Sequence, residues 1–125
     1  MLKLAALAID DRMKGAPSSM VTPVQLARRM AAYDALVFQL VVSDATGASP
    51  AMSVQVEHSA DGRIWMPFGP VPEIDSLALN LGAPTSAVGS IPARKPRLRY
   101  TRLRVDLSDA VGVITAVRFR LWVAA

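Results

Sequence analysis

The chain is 125 residues long, with 52% hydrophobic and 19% charged residues, and its sequence contains no cysteine. A disordered chain would be poor in apolar residues and rich in charge, so the composition excludes that class. The missing cysteines also exclude disulfide bonds and thiolate metal sites. We predict a single domain over residues 1–125, stabilised by its own core or by neighbouring subunits.

The first third of the chain mixes short apolar stretches with turn-forming residues. Residues 2–9 are predicted to form a first strand, and residues 10–23 an extended arm or loop, because they contain glycine, serine and two prolines. Residues 24–32 are ambiguous: Pro23 suits the first turn of a helix, while the following apolar residues alternate as they would in a strand. The strong β signal in the rest of the chain favours a strand here.

The rest of the chain alternates apolar and polar residues with a period of two, which is typical of strands in antiparallel sheets. A tight turn is predicted at Asp61-Gly62, since glycine adopts a positive φ at little cost, and a long loop at residues 82–96. The predicted strands are residues 35–43, 52–58, 63–68, 76–81, 97–107 and 113–123. About seven or eight strands with frequent turns predict an all-β fold, an antiparallel β-sandwich or jelly roll.

Residue types that support catalysis or metal binding are sparse. His58 is the one histidine in the sequence, which excludes a multi-histidine metal site, and there is no Gly-x-Ser-x-Gly nucleophile elbow. The glycines are scattered singly, so no phosphate-binding loop is predicted. We expect no enzymatic activity and no cofactor. The N-terminal apolar run is short and interrupted by Lys3, so neither a signal peptide nor a membrane segment is expected.

The net charge of the whole chain is +4, and its cations are mostly arginine. These cations concentrate in the last third of the chain. Arginine pairs well with carboxylates and is weakly hydrated, which suits interfaces. If the last two predicted strands formed a hairpin, four arginines would crowd one sheet face. A solvated face, a protein interface and a nucleic-acid site stay open as interpretations; the last is disfavoured because aromatic residues do not interleave with the arginines. The candidate interface comprises Arg97, Arg99, Arg102, Arg104, Arg118, Arg120 and Trp122.

Residues 44–65 carry a family resemblance. They combine a Gly-x-Ser-Pro turn, an alternating strand and the run Ser-x-Asp-Gly-x-x-Trp, and a later strand opens with Tyr100 followed by arginines and alternating apolar residues. The matching residues are Gly47, Ser49, Pro50, Val54, Val56, Glu57, Ser59, Asp61, Gly62 and Trp65. This pattern resembles small structural proteins encoded near the capsid genes of tailed bacteriophages and prophages. The resemblance implies a jelly-roll or sandwich fold, no enzymatic activity and symmetric self-assembly on a capsid.

From this resemblance we expect a capsid decoration protein that binds the major capsid protein or other particle subunits. The expected form is a symmetric homo-oligomer, with a trimer favoured, in a virion assembled in the host cytoplasm. Two alternatives stay open. One is a head–tail or tail component. The other is a carbohydrate- or surface-binding sandwich module, since the Ser-x-Asp-Gly-x-x-Trp run also occurs in such modules.

Overall fold

The computed structural model describes residues 5–33, 35–69, 72–91, 98–110 and 114–125. Regular structure in these ranges is almost entirely strand, with one helix, α1 (Val24–Ala31), between the second and third strands. The strands are β1 (Ala5–Lys14), β2 (Ser18–Val21), β3 (Leu36–Thr46), β4 (Pro50–Ser59), β5 (Met66–Pro67), β6 (Ile74–Ala78), β7 (Thr85–Ile91), β8 (Tyr100–Asp109) and β9 (Ala116–Ala124). Among the described residues, no helix has the length and hydrophobicity needed to cross a bilayer.

The strands form two antiparallel sheets. Sheet I has the order β1-β9-β3-β7, and sheet II has the order β2-β8-β4-β5, with β6 also pairing with β4. Strands β1 to β4 alternate between the sheets along the chain, and strands β7 to β9 do the same. This winding is that of a jelly roll. The predicted all-β sandwich is therefore confirmed.

Alternate side chains of each strand seal the two sheets together. In sheet I, Leu40 on β3 lies opposite Leu121 on β9, and in sheet II, Val54 on β4 lies opposite Val105 on β8. All four side chains are fully buried. Since the side chains between them point the other way, every strand of the sandwich also contributes to an outer face.

Residues 24–32 contain a helix, so the strand predicted there is wrong. Leu26, Ala27 and Met30 are all buried, and this spacing places them on one face of a helix but on both faces of a strand. Pro23 is the N-cap residue, and its carbonyl accepts the N–H of Ala27 at 3.0 Å. The helix packs against β8, and this tertiary contact outweighs the alternation seen in the sequence.

The arm predicted at residues 10–23 is also wrong. Residues 10–14 continue β1, which pairs with β9 along its whole length, and β2 pairs with β8. Residues 15–17 make the turn between them, where Gly15 has φ 79°. The prediction failed because Asp10, Arg12 and Lys14 lie on the outer face of a strand, while Ile9 and Met13 are buried on its inner side.

The long loop predicted at residues 82–96 contains β7, which pairs with β3; residues 92–96 lie outside the described residues. The inward residues Ala87 and Gly89 are small, so the sequence of β7 does not show the alternation of large apolar and polar residues that predicted the other strands. Gly89 is required by packing, because a Cβ there would lie 2.5 Å from the Phe38 ring. The strand predicted at residues 63–68 is reduced to β5, with two residues.

Substitutions in α1 test the helix against the strand that the sequence favoured. Ala27 is 1% exposed, whereas Arg29 is exposed. We expect Ala27→Leu to lower the free energy of unfolding by about 1–3 kcal/mol through overpacking, and Arg29→Leu to change it by less than about 0.5 kcal/mol. Urea denaturation measures both. In a strand, positions 27 and 29 would share a face, so equal effects would contradict the helix.

Candidate interaction surface

The predicted basic interface is divided between two faces of the sandwich. β8 lies between β2 and β4 in sheet II, and β9 lies between β1 and β3 in sheet I. The two strands therefore do not pair as a hairpin, and the four arginines do not share a face. Apart from Thr101 and Asp109 at the ends of β8, the inward positions of both strands are occupied by buried apolar residues. Consequently Arg102 and Arg104 point outward from sheet II, whereas Arg118, Arg120 and Trp122 point outward from sheet I.

The two remaining candidates precede β8. Arg99 is exposed, and its guanidinium carbon lies 5.6 Å from the centre of the Tyr100 ring. Arg97 lies outside the described residues. Arg99 directly precedes a strand of sheet II and does not join the arginines of sheet I.

Glu57 on β4 holds Arg102 and Arg104 against the outer face of sheet II. Its carboxylate accepts hydrogen bonds from Arg102 Nε at 2.8 Å and from Arg104 Nη1 at 2.9 Å. The Glu57 side chain is only 5% exposed. A buried carboxylate is strongly unfavourable unless charged partners satisfy it. The two arginines therefore neutralise an acid of their own fold.

The network continues to both sides of this triad. Arg104 Nε also contacts Asp106 Oδ2 at 3.1 Å, and Asp106 Oδ1 accepts a hydrogen bond from Ser19 on β2 at 2.6 Å. On the other side, the Arg102 guanidinium lies 4.1 Å from the centre of the Trp65 ring. These contacts link side chains on the outer face of sheet II from β2 to the segment before β5.

The predicted turn at Asp61-Gly62 leads the chain from β4 to Trp65. Hydrogen bonds from the backbone N–H groups of Ile64 and Arg63 and from the Ser59 hydroxyl lower the pKa of the Asp61 carboxyl below its usual 3.8. Each of these bonds favours the ionised carboxylate, which lowers a pKa. Gly62 adopts φ 77° beside this carboxylate.

The outer face of sheet I has a basic end. Arg12 on β1 lies directly opposite Arg118 on β9, and Arg118 lies opposite Asp44 on β3. With Lys14 and Thr46 these residues line a shallow cavity of about 160 Å³. Among the described residues, the three cations make no ion pair within 4.0 Å. Like charges directly opposite each other in a sheet are destabilising. Asp10 and Asp11 line a neighbouring cavity with Arg12 and Arg118.

The other end of the same face is apolar. The sheet I register places Leu7, Trp122, Gln39 and Val88 in one row across all four strands. Trp122 is 43% exposed and Val88 is 68% exposed. A second shallow cavity, of about 270 Å³, lies along this row and is also lined by Val37. Exposed tryptophan beside aliphatic side chains is typical of contact surfaces.

Between the two ends of the face, an ion pair links β1 to β9. Arg120 Nε lies 3.5 Å from Asp10 Oδ2, and both side chains are well exposed. We call the whole surface the sheet I patch. It consists of Leu7, Arg12, Lys14, Val37, Val88, Arg118, Arg120 and Trp122.

Sequence reasoning found only the β9 members of the sheet I patch. The missed residues come from β1, β3 and β7. Extending the alternation of residues 2–9 past Asp10 would have placed Arg12 and Lys14 on one strand face. Their position opposite Arg118, however, depends on the pairing of β1 with β9, which no local pattern encodes.

His58, the residue considered for metal binding or catalysis, is held by a ring contact and a backbone hydrogen bond. The His58 ring packs edge-on against Phe68, with 5.1 Å between ring centres, and His58 Nδ1 accepts the backbone N–H of Leu98 at 3.2 Å. In the part of the chain that the structure describes, no three His, Asp or Glu residues cluster in a way that could hold a metal ion.

No protein-family model matches this chain, and no curated protein matches its sequence. Solved structures do match. The chain superposes on the structure of the infectious bursal disease virus Gt strain with a TM-score of 0.63 at 12% identity, covering 98% of this chain and 32% of that one. T=1 particles derived from the VP2 protein of that virus give a TM-score of 0.64 at 10% identity, covering 98% and 31%.

The chain therefore shares its jelly-roll fold with chains of this virus particle. A third match, to the T13 particle of the same virus, has a TM-score of 0.63 at 13% identity and covers 98% of this chain and 30% of that one. The chain thus spans about a third of the length of the virus chains that it matches. Identity at this level establishes the shared fold, and function has to be argued from the surface of this chain.

Removing the charge of Glu57 tests its structural role. We expect Glu57→Gln to lower the free energy of unfolding by about 1–3 kcal/mol, because two arginines lose a buried charged acceptor. Asp10→Asn removes the exposed partner of Arg120 and is expected to cost less than about 1 kcal/mol. Urea denaturation compares the two variants. Equal losses would contradict the distinction between a satisfied face on sheet II and an open one on sheet I.

The Asp61 turn should respond to pH. Its folded pKa is lowered, so the turn is stabilised by the ionised carboxylate above pH 3.8, and this stabilisation is lost as the pH falls through the lower folded value. We expect the backbone amides of Arg63 and Ile64 to shift together in an NMR titration, with a midpoint below 3.8. A midpoint at or above that value would contradict the hydrogen bonds described for the turn.

Proposed function

We propose that this chain is a structural subunit of a virus particle. Within that class it is a capsid decoration protein of a tailed bacteriophage or prophage, which binds the major capsid protein as a symmetric homo-oligomer. It is assembled with the virion in the host cytoplasm. The jelly roll shared with the bursal disease virus particle supports the structural role, and the sequence resemblance to phage head proteins supports the narrower one.

The observation that carries this proposal is a group of cations in the sheet I patch that form no ion pair among the described residues. Arg12, Lys14 and Arg118 lie together with Asp44, and Asp10 and Asp11 line a neighbouring cavity with the two arginines. The fold satisfies the arginines of sheet II internally and leaves these three without an ion pair among the described residues. An acidic shell surface would relieve their mutual repulsion and pair bidentately with the guanidinium groups.

The apolar end of the patch supplies the contact area that charge alone does not. Trp122 is large, aromatic and 43% exposed, and tryptophan and arginine are the residue types that dominate the binding energy of many protein interfaces. Charged contacts at such a surface raise the association rate and set specificity. Attachment is therefore expected to use Trp122 as an anchor and the basic end for orientation.

Charge reversal on β9 tests this function on particles. In cells that produce the particles, tagged protein is expected to sediment with the shells in a density gradient, because attachment is part of its role. The double variant Arg118→Glu, Arg120→Glu should lose at least about tenfold of the particle-bound fraction, since an acidic shell would repel it. Raising the salt concentration should release the unmodified protein, because exposed charge pairs are screened.

The control is the double variant Arg29→Glu, Arg63→Glu, which makes the same charge change at two exposed residues outside sheet I. It should sediment like the unmodified protein. Protein found only in the soluble fractions would overturn the particle proposal, and equal loss in the control would overturn the role of the sheet I patch. Attachment to the tail in electron micrographs would favour the head–tail or tail alternative instead.

A carbohydrate- or surface-binding module is the second candidate, and Trp122 is the observation that favours it. Its exposed indole lies beside the amide of Gln39 along a shallow cavity, and sugars stack on exposed aromatic rings. Trp65, the other tryptophan, is covered by Arg102, so it does not extend the surface into a platform. Glycan-array binding that Trp122→Ala abolishes, together with no particle association, would favour this module.

A further inference from the structure

Four of the five edge strands of the sandwich carry a feature that discourages pairing with another chain. β1 has four charged residues and a register shift between Leu7 and Ile9. β2, β5 and β6 are short, with four, two and five residues. Charge, irregularity and short length are the devices by which natural proteins protect exposed strand edges.

β7 has none of these protections. It runs for seven residues from Thr85 to Ile91 without a charged residue or a proline. Its ladder with β3 has no register shift, and within the described ranges no strand pairs with its other side. Such an edge presents a row of backbone N–H and C=O groups that another strand can pair with.

We infer that β7 pairs antiparallel with β7 of a second copy of this chain, which joins the two copies of sheet I into one continuous sheet. In a continuous sheet, outward side chains must lie opposite outward side chains. Val88 points outward and is the middle residue of the strand. Full overlap of the seven residues therefore places Val88 opposite Val88 of the second copy.

The sequence of β7 is complementary to itself in this register. Ser86 would lie opposite Ser90 on the outer face, where two hydroxyls can hydrogen-bond, and Ala87 would lie opposite Gly89 on the inner face. No pair brings like charges together, because the strand carries no charge, and cross-strand serine pairs are favourable. The two Val88 side chains, each 68% exposed in one copy, would cover each other.

The same contact would enlarge the apolar end of the sheet I patch. Val88 belongs to the row that also contains Trp122, so a twofold axis at Val88 brings the apolar ends of two copies side by side. A twofold contact uses one surface on both partners, so the oligomer has an even number of subunits in place of the trimer favoured from the sequence. This inference does not rest on the proposed function, since the pairing requires no particle.

The mass in solution is the first test. Size-exclusion chromatography with light scattering should give twice the monomer mass of 13.4 kDa for the unmodified protein. Val88→Lys and Val88→Glu should each weaken the dimer at least about tenfold, because two like charges would face each other across the axis. An equimolar mixture of the two variants should restore a dimer, since opposite charges then meet.

The control is Ile114, an aliphatic residue outside the strands that is 89% exposed. Ile114→Lys and Ile114→Glu should leave the dimer unchanged. Since the chain has no cysteine, Val88→Cys should form a covalent dimer under mild oxidation, because opposed strand residues lie within disulfide range, and Ile114→Cys should not. A monomeric or trimeric unmodified protein, or charge variants that do not recombine, would overturn the inference. Dimers that never attach to particles would refute the proposed function alone.

Discussion

The placement of β8 and β9 in opposite sheets is the constraint on which the remaining arguments depend. Both strands carry two outward arginines, and in sequence they look equivalent. The jelly-roll winding puts the first pair beside Glu57, whose side chain is 5% exposed. It puts the second pair on a face where none of the described acids is buried. The same residue type therefore stabilises the fold on sheet II and forms an open surface on sheet I.

This division gives the two sheets different roles. On sheet II, hydrogen bonds and ring contacts link side chains from Ser19 to Trp65, and a partner would have to break them at the cost of leaving buried groups unsatisfied. On sheet I, the patch has few internal contacts to lose. Binding there costs less desolvation of paired groups, which is why the proposals for attachment and for twofold pairing both fall on sheet I.

The strands that were predicted correctly are those whose apolar residues alternate with a period of two. The strands around Leu40, Val54, Val105 and Leu121 were predicted because apolar residues of these strands point inward at every second position. The sequence did not predict α1, whose burial at Ala27 needs a 3.6-residue period, or β7, whose inward residues are too small to show a pattern. The separation of the arginines onto two sheets could not be predicted from local sequence patterns, because strand pairing is set by contacts between distant parts of the chain.

The most direct measurement of the central claim is the hydrogen-exchange rate of the arginine Nε–H groups, followed by NMR. The Nε–H groups of Arg102 and Arg104 donate to carboxylates at 2.8 and 3.1 Å, whereas Arg118 has no ion pair among the described residues. The account predicts that exchange at Arg102 and Arg104 is slower than at Arg118 by about tenfold or more. Equal rates at the three arginines would contradict it.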